Sequence, residues 1–426
     1  MVHTVEITGL AFGGKGVGRI DGKVVFVPYA APGDLVRVRI TKEKSSFSEG
    51  ELAGIERPSP LRRDPPCPLF GDCGGCALQH MGDGPQLEWK QRILEETLGR
   101  IGKIKPEFDA PAPSPEAFGY RSRASFHVDG PQWGFYAAGS HRVVDVLDCP
   151  ILDPALNCAY GLVRQRISGR VGSLYAVDIG LRDGGGFAVA FYVSGGRPFD
   201  WKAALAGVQG LTGFEVWRSP LKRGKGKRII AEYDSRLIYH AAGLVMEAGV
   251  SVFTQVNRLL NPALIDRVAQ YAGLGGTEKV VDLFAGVGNL SLPLARGAGG
   301  VTGVEEDAAA VAFARKNAQS NGIENARFIR SSSAVWVRAR MKNLEKEGVD
   351  VVILDPPRGG DPAVAEALSV LRPRKIVYVS CSPPTLARDI SLLSMSGYGV
   401  FRAGLFDMFP QTYHIESVAG LELLRR

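Results

Sequence analysis

Beyond residue 250 the chain alternates short apolar runs with longer segments of helical periodicity, and this alternation limits the fold more than any other feature. The runs are rich in Val and Ile, as buried strands are, and they cover residues 279–282, 301–304, 351–354 and 376–379. Strands that alternate with helices predict βαβ units. We therefore predict an α/β domain of residues 250–426 with a doubly wound, Rossmann-like parallel sheet.

The first 57 residues have a different pattern, in which short strand-like runs are broken by Gly and Pro. This spacing predicts a small OB-like antiparallel barrel. Its glycine-rich stretch, residues 12–19, could be mistaken for a phosphate-binding loop, but no helical pattern follows it. A hairpin between two strands is therefore the better prediction.

Residues 58–249 are predicted to form a β-rich central domain. Periodicity and a terminal glycine indicate a helix over residues 85–102, and we expect this helix to pack on the C-terminal domain. Short strands with turn signals, such as residues 183–186, follow the helix.

Four cysteines are spaced like the ligands of a metal centre: Cys67, Cys73 and Cys76, with five and then two residues between them, and the distant Cys149. Structural zinc sites usually contain paired Cys-x-x-Cys units, so zinc is the alternative and an iron-sulfur cluster fits better. We expect Cys158 to pack in a core. A thiolate-held cluster requires a reducing compartment, and the chain has neither a signal-like N-terminus nor an apolar run near the ~18 residues that cross a bilayer. We therefore expect a cytoplasmic monomer without membrane contact.

The first strand of the predicted sheet is followed by a loop that contains Gly286 and Gly288. Glycines there let the backbone approach a ligand, and Glu305, at the end of the next strand, is placed to bind ribose hydroxyls. A nicotinamide dinucleotide is the competing ligand, because its fingerprint has similar spacing. The third glycine of that fingerprint is missing, however, and Asp282 before the glycines suits the ammonium group of S-adenosylmethionine. The loop therefore favours S-adenosylmethionine.

Two further motifs follow strands of the same sheet. Asp355 to Arg358 come after the third apolar run, and Cys381 comes after the fourth. A single cysteine after a strand is more often a packing residue. Here Ser380 before it and residues 382–384 after it predict a tight, exposed turn, which favours a nucleophile.

Four motifs, together with the segment Phe253-x-Gln255-x-Asn257, resemble those of the RNA uracil-5-methyltransferases. They are Asp282-Leu283-Phe284-x-Gly286-x-Gly288-Asn289, Asp355-Pro356-Pro357-Arg358, Ser380-Cys381-x-Pro383-x-Thr385-Leu386-Ala387-Arg388-Asp389 and Phe409-Pro410-x-Thr412-x-His414-x-Glu416. Members with a metal cluster carry three closely spaced cysteines and a distant one, and a TRAM-type barrel is common among them. The resemblance spans nearly the whole chain. It implies a TRAM barrel, S-adenosylmethionine and a [4Fe-4S] cluster.

The resemblance also assigns roles to individual residues. Carbon 5 of uracil is a poor nucleophile, but adding a thiolate to carbon 6 turns the ring into an enolate that can attack a sulfonium methyl group. Cys381 is implied as that thiolate and Glu416 as the base that later removes the carbon 5 proton. The cofactor contacts that the resemblance implies are Gln255, Phe284, Asn289, Glu305 and Asp355. Asp355 is also expected near the edge of the uracil, with Arg358 supporting it. Residues 330–333 depart from the family pattern, so the adenine contact is left unassigned.

An RNA substrate agrees with a net charge of +7 and a pI of about 9.0. Six of the eleven residues from Arg218 to Arg228 are basic, which indicates a phosphate-binding loop or a solvated one. Arg121 and Arg123 are candidates for phosphate contacts or for ion pairs. Since a stacked base cannot present carbon 6, the uridine must come from a loop or be flipped out. We expect a 23S rRNA uridine, with tRNA as the alternative; a non-catalytic RNA-binding module and a redox enzyme are alternatives from other classes.

Overall fold

The computed structural model describes residues 2–220 and 226–424, apart from the side chains of residues 342, 343, 345 and 347. Its first strands are β1 (Val2–Leu10), β2 (Lys15–Ile20), β3 (Lys23–Pro28), β4 (Leu35–Glu43) and β5 (Phe47–Arg57). They close into a barrel in the order β1-β2-β3-β5-β4, as predicted. The barrel is not wholly antiparallel as we expected, because β3 and β5 pair in parallel. Alternate side chains of each strand, such as Val25 and Val27, fill its interior.

The glycine-rich stretch lies in the turn between β1 and β2 and in β2 itself. Gly18 pairs with Ile7 of β1, and a Cβ atom added at Gly18 would come within 2.4 Å of Val5 Cγ1. The glycine therefore permits close packing inside the barrel, and the predicted hairpin is confirmed.

The central part of the chain contains a mixed sheet of seven strands. Its elements are α1 (Asp83–Arg100), β6 (Glu107–Phe108), β7 (Arg123–Asp129), β8 (Gln132–Tyr136), β9 (Val143–Asp145), α2 (Pro154–Ile167), β10 (Leu174–Leu181), β11 (Phe187–Val193), α3 (Trp201–Leu205), β12 (Leu211–Arg218), β13 (Lys227–Tyr233), β14 (Arg236–Ala241) and β15 (Leu244–Gly249). The strand order is β13-β12-β11-β10-β7-β8-β9, and β14 and β15 form a separate hairpin.

Helix α2, which our sequence interpretation of this domain lacks, covers the central sheet. The Asp153 side chain accepts a hydrogen bond from Ala155 N at its start, and Pro154 occupies the first turn. Apolar side chains of one face are buried with the sheet, whereas Cys158 is exposed. Our expectation that Cys158 packs in a core is therefore wrong, because this thiol lies on the solvent side of the helix.

The C-terminal part forms an eight-stranded sheet between helices. Its elements are α4 (Asn261–Ala272), β16 (Lys279–Leu283), α5 (Ser291–Ala295), β17 (Gly300–Glu305), α6 (Ala308–Ser320), β18 (Ala326–Arg330), α7 (Ser333–Glu347), β19 (Val351–Leu354), α8 (Pro362–Leu371), β20 (Lys375–Ser380), α9 (Pro383–Met395), β21 (Tyr398–Phe406) and β22 (Glu416–Leu423). The strand order is β18-β17-β16-β19-β20-β22-β21-β6, with β16 to β20 parallel. The order reverses between β16 and β19, where open α/β sheets bind ligands. The predicted doubly wound sheet is confirmed.

Strand β22 brings its first residue to the edge of the sheet where the parallel strands end. It runs antiparallel to β20, with Ser417 opposite Ser380. Glu416, which opens β22, therefore lies beside the residue that follows β20, Cys381.

Several segments from outside residues 250–426 pack with the C-terminal sheet, and β6 is one of its strands. Leu94 and Leu98 of α1 lie in one buried cluster with Leu386 of α9. The hairpin β14–β15 shares a second cluster with α4 and α6. No helix of the described ranges is both long and apolar enough to cross a membrane.

A buried carboxylate fixes the segment that follows the last strand of the barrel. Asp34 is 0% exposed, and its oxygens accept hydrogen bonds from Ala31 N, Ser59 N and Arg62 Nε at 2.6 to 2.8 Å. We expect Asp34→Ala to lower the free energy of unfolding by about 3 kcal/mol, because Arg62 loses its partner in a largely buried site. Chemical denaturation measures this loss.

The matched control for Asp34→Ala is Glu51→Ala, which breaks an exposed pair with Arg39 in the same barrel. That change should cost less than about 0.5 kcal/mol. Equal effects of the two substitutions would show that the buried carboxylate has no special role.

Candidate active site

All seven side chains predicted for catalysis and cofactor binding line one cavity of about 730 Å³ at the carboxyl edge of the large sheet: Gln255, Phe284, Asn289, Glu305, Asp355, Cys381 and Glu416. Parallel strands end at one edge, so the residues that follow them meet there although they are distant in sequence. Asp282, Arg358, His414 and the segment 332–333 line the same cavity. The cavity therefore joins the predicted cofactor residues to the predicted reacting groups.

The loop after β16 is shaped for close approach of a ligand. Gly286 and Gly288 have φ angles of 55° and 91°, in the left-handed region that glycine adopts without strain. One oxygen of the buried Asp282 carboxylate accepts a hydrogen bond from Ser291, and the other has no partner within the described residues. Burial raises the pKa of Asp282 to about 7, and its neighbours Asp355 and Glu305 add to the effect.

The Glu305 carboxylate accepts hydrogen bonds from Gly286 N at 3.0 Å and Asp307 N at 2.7 Å. A carboxylate has about four acceptor positions, so two are left for hydroxyl groups. Asn289 lies in the cavity wall, where its amide exchanges two hydrogen bonds with the Asn261 amide at 2.9 and 3.0 Å. The Asn261 amide therefore fixes the orientation of the Asn289 side chain.

Cys381 lies between the end of β20 and the start of α9 in a tight turn, in which Ser382 N donates to Ser380 Oγ at 3.2 Å. The two serines are 9% and 4% exposed, so the flanks that we expected to be exposed are buried, while Cys381 itself is half-buried. Burial raises the pKa of the Cys381 thiol to about 11, Glu416 and Asp355 raise it further, and Arg358 opposes them. The free protein therefore holds this group as a thiol at neutral pH.

The acidic groups beside Cys381 are also desolvated. Burial raises the pKa of Asp355 to about 7, and burial together with Asp355 raises the pKa of Glu416 well above its usual range. Carboxylates in such a site favour a cationic ligand, which restores their charged forms.

Arg358 is the cation of this group. Its Nη2 atom is 3.1 Å from His414 Nε2. Burial, followed by the charge of Arg358, lowers the pKa of His414 to about 3, so the ring is neutral and accepts the hydrogen bond from Arg358. The sequence motif contains His414 but gave it no role; its contact with Arg358 becomes visible only in the fold.

A second cavity is lined by Cys67, Cys73, Cys76 and Cys149, together with Arg121. Burial raises the pKa of Cys76 to about 11 and of Cys149 to about 12, and the neighbouring thiols add to both shifts. Within residues 2–220 and 226–424, no three His, Cys, Asp or Glu side chains form a set that could hold a metal ion. The structure thus gathers the four cysteines but shows no metal site, and the cluster stays a prediction.

The basic residues predicted to bind RNA lie in different environments in the structure. Arg123 is an internal contact, since it donates to Val252 O at 2.5 Å and to Thr254 Oγ1 at 3.2 Å. Arg121 lines both cavities. Of the loop from Arg218 to Arg228, residues 221–225, with Lys222, Arg223 and Lys225, lie outside the described residues. Arg228 pairs with Glu215 at 3.1 Å.

Comparison with known proteins agrees with the geometry. Residues 201–426 match the family model described as tRNA (uracil-5-)-methyltransferase, and residues 2–53 match the TRAM domain. The chain is 37% identical to the 23S rRNA (uracil(1939)-C(5))-methyltransferase RlmD of Acidithiobacillus ferrooxidans, over 98% of this chain and 97% of that protein. It is 35% identical to the protein of the same name from Alkalilimnicola ehrlichii, over 97% and 95%.

The similarity to solved structures extends over the whole chain. The tRNA (uracil-54, C5)-methyltransferase of Pyrococcus abyssi in complex with S-adenosyl-L-homocysteine matches with a TM-score of 0.78 and 26% identity over 99% of this chain and 100% of that one. The fold is that of an S-adenosylmethionine-dependent RNA methyltransferase. The chain belongs to the tRNA (uracil-5-)-methyltransferase family. The family and the cofactor predicted from the motifs are thereby confirmed, and the nicotinamide alternative is set aside.

Proposed function

We propose that this protein transfers a methyl group from S-adenosylmethionine to carbon 5 of a uridine in 23S rRNA. The observation that carries the proposal is the single cavity in which Cys381, Glu416 and Asp355 meet the residues of the cofactor loop. The rRNA substrate is favoured over tRNA because the relatives named for 23S rRNA are 35 to 37% identical over nearly the full length, whereas the tRNA enzyme is 26% identical.

Bound S-adenosylmethionine supplies the electrophilic methyl group, and its ammonium and sulfonium charges suit the acidic cavity. The unpartnered oxygen of Asp282 is available to the ammonium group. Glu305 has acceptor positions left for the ribose hydroxyls, and Gln255, Phe284 and Asn289 complete the walls. Without the ammonium group, one oxygen of the buried Asp282 carboxylate would have no hydrogen-bond partner, which is costly in a buried site.

Cys381 acts as nucleophile. Its Sγ would bond to carbon 6 of the uracil, and the electron pair of the 5,6 double bond would move into the enolate. Carbon 5 would then take the methyl group as the sulfonium S–CH3 bond breaks, which leaves S-adenosylhomocysteine. Because burial and two carboxylates hold the pKa of the thiol high, Arg358 and the positive cofactor are needed to favour the thiolate. Neutral His414 fixes the guanidinium of Arg358 for this purpose.

Glu416 completes the reaction. After methyl transfer it takes the proton from carbon 5, the 5,6 double bond re-forms, and the Sγ–C6 bond breaks to release the thiolate. A carboxylate whose pKa is raised by burial and by Asp355 is a stronger base than an exposed one.

RNA would also contact a groove of about 970 Å³ between the barrel and α1. Its lining contains aromatic rings and cations that suit stacked bases and phosphates: Phe12, Phe26, Phe47, Trp89, Lys15, Arg19, Arg92 and Arg100. The groove reaches Pro384, three residues after Cys381. A strand in it therefore lies next to the turn that carries the nucleophile.

The four cysteines would hold a [4Fe-4S] cluster in the second cavity. Four cysteine thiolates are the usual ligands of such a cluster, and all four side chains line that cavity. The cluster would stabilise the segment around residues 67–79, since methyl transfer needs no electron.

Cys381→Ala should reduce methyl transfer by more than about 10³-fold, the scale on which loss of a nucleophile acts, while S-adenosylhomocysteine affinity stays near that of the wild type. Wild-type protein should form a covalent complex with 5-fluorouridine RNA, because fluorine cannot leave as a proton does. The rate of its formation should rise with pH between about pH 7 and 9, because the thiol pKa lies above this range. Cys158→Ala, at an exposed thiol, is the control, and methylation by Cys381→Ala at the wild-type rate would refute the assignment.

Glu416→Gln should still form the adduct and transfer the methyl group, but release of RNA should slow by about 10²-fold or more, because the general base is lost. A denaturing gel with ordinary uridine RNA measures the retained protein–RNA adduct. Glu422→Gln, an exposed change on the same strand, should release normally. Normal turnover of Glu416→Gln without adduct would identify another group as the base.

Anaerobically purified protein should be brown and contain about four irons per chain. Cys73→Ser and Cys149→Ser should remove the colour and destabilise the central domain, whereas Cys158→Ser should change neither. Iron analysis and visible absorption measure the outcome. A colourless protein with one zinc per chain would replace the iron-sulfur proposal by a structural zinc site.

Neutralising Arg19, Arg92 and Arg100 to Gln should raise KM for RNA with little change in kcat, because Cys381 and Glu416 lie in another cavity. Neutralising Lys222, Arg223, Lys225 and Lys227 should act in the same way. Each lost phosphate contact should flatten the log-log salt dependence by roughly 0.7 for single-stranded RNA.

The control for these RNA-binding variants is Arg39→Gln, at an exposed barrel cation outside the groove. Point variants are preferable to deletion of the barrel, since Leu10 and Ala31 belong to the buried cluster of the large sheet. Unchanged KM and salt dependence in both sets would place the RNA elsewhere on the molecule.

A further inference from the structure

The loop of residues 407–415 connects β21 to β22 and delivers His414 and Glu416 to the active-site cavity. Gln411 lies near its centre. This residue is 0% exposed and has a φ angle of 68°, which glutamine rarely adopts. A conformation of this kind persists only where the surroundings determine it.

The backbone of Gln411 is bound by residues from outside the C-terminal domain. Its carbonyl oxygen accepts hydrogen bonds from Ala77 N at 3.0 Å and Leu78 N at 2.9 Å. Its amide donates to Gln86 Oε1 at 3.0 Å. These contacts connect the loop directly to the segment that carries Cys76.

Both the oxygen and the nitrogen of the Gln411 side-chain amide also form hydrogen bonds. Its Oε1 accepts from Arg63 at 2.8 Å and from Gln86 Nε2 at 2.9 Å. Its Nε2 donates to Asp83 Oδ1 at 2.8 Å and to Ala117 O at 3.2 Å. A buried amide with this many partners fixes one geometry, because displacement leaves several polar groups unpaired.

The same partners reach the cysteine cavity. Gln79 O accepts a hydrogen bond from Arg63 Nε at 3.1 Å, and Gln79 Oε1 accepts one from Cys67 N at 3.1 Å. Cys76 directly precedes Ala77, whose amide binds Gln411. The cysteine-lined cavity and the active-site cavity also share Arg121 as a lining residue. An unbroken set of hydrogen bonds thus joins the cysteine segment, residues 67–79, to the loop of Glu416.

We infer that Gln411 is a positioning residue that holds Glu416 in place for proton removal and transmits the order of the cysteine segment to the active site. The inference rests on the proposed function, because Glu416 acts as the base only in that reaction. By this inference the cysteine segment contributes to the release of methylated RNA, and this contribution requires no electron transfer.

The test uses Gln411→Asn in the full-length protein. Asparagine tolerates the left-handed conformation and keeps the backbone hydrogen bonds, but its side chain is too short to reach all the partners of Gln411. Release of methylated RNA should slow by about 10 to 100-fold, the cost of a misplacement of roughly 1 Å, and the adduct should accumulate on a denaturing gel. Affinity for S-adenosylhomocysteine should change by less than about twofold, since Asp282 and Glu305 lie on other elements.

Gln79→Ala is the second variant, and it alters the cysteine side without touching the loop. It should also slow release, and hydrogen exchange of a peptide covering residues 407–415 should rise while that of the barrel stays unchanged. Combined with Gln411→Asn it should add little, because both changes break one set of hydrogen bonds. Tyr398→Phe, which removes a buried hydrogen bond to Pro373 O far from the loop, is the matched control and should release RNA normally.

Three results would overturn the inference: release at the wild-type rate in both variants, loss of cofactor binding in step with release, or loss of folded protein in both. The last two would mean that the contacts stabilise the whole fold instead of positioning the loop. Failure of the proposed function is distinguishable, because wild-type protein would then form no 5-methyluridine in 23S rRNA and Glu416→Gln would accumulate no adduct.

Discussion

The structure depends on negative charge concentrated at the carboxyl edge of one sheet. Asp282, Asp355 and Glu416 come from three different strands or the loops after them, and desolvation raises the pKa of each. Carboxylates in such a place are costly unless a cation offsets them. Arg358 and Arg121 supply positive charge from the protein, and bound S-adenosylmethionine would supply more. The cofactor is therefore an electrostatic part of the site as well as a methyl donor.

In the proposed reaction, the same charge distribution would set the order of events. With only the protein's own groups, the pKa of the Cys381 thiol is about 11, so attack on a uracil is suppressed at neutral pH. In the proposed mechanism, a positive cofactor would lower the pKa of this thiol, so Cys381 would attack when the methyl donor is in place. By the same proposal, the raised pKa of Glu416 suits it to removing the carbon 5 proton, and the hydrogen bonds of Gln411 would keep its loop in position for that step.

Much of this could be predicted from the sequence because motifs at strand ends meet wherever a parallel sheet forms. The glycine loop, Asp355 and Cys381 were located in this way, and the antiparallel β22 adds Glu416 to them. Contacts between distant segments could not be predicted. The pairing of Arg358 with His414, the internal role of Arg123 and the partners of Gln411 depend on packing that no local pattern encodes. The start of helix α2 could have been predicted from Asp153-Pro154, since Asp is a common N-cap residue and Pro is common in the first turn. The strand-like patterns on either side favoured a β-rich interpretation instead.

The central claim is that the cationic cofactor ionises buried acids, and titration calorimetry at about pH 7 in buffers of different ionisation enthalpy tests it most directly. Since Asp282 and Asp355 have pKa values of about 7 in the free protein, binding of a cation should lower them and release protons. We predict release of part of a proton with S-adenosylhomocysteine and of more with S-adenosylmethionine at about pH 7. Proton uptake, or no proton exchange with either ligand at about pH 7, would contradict the account.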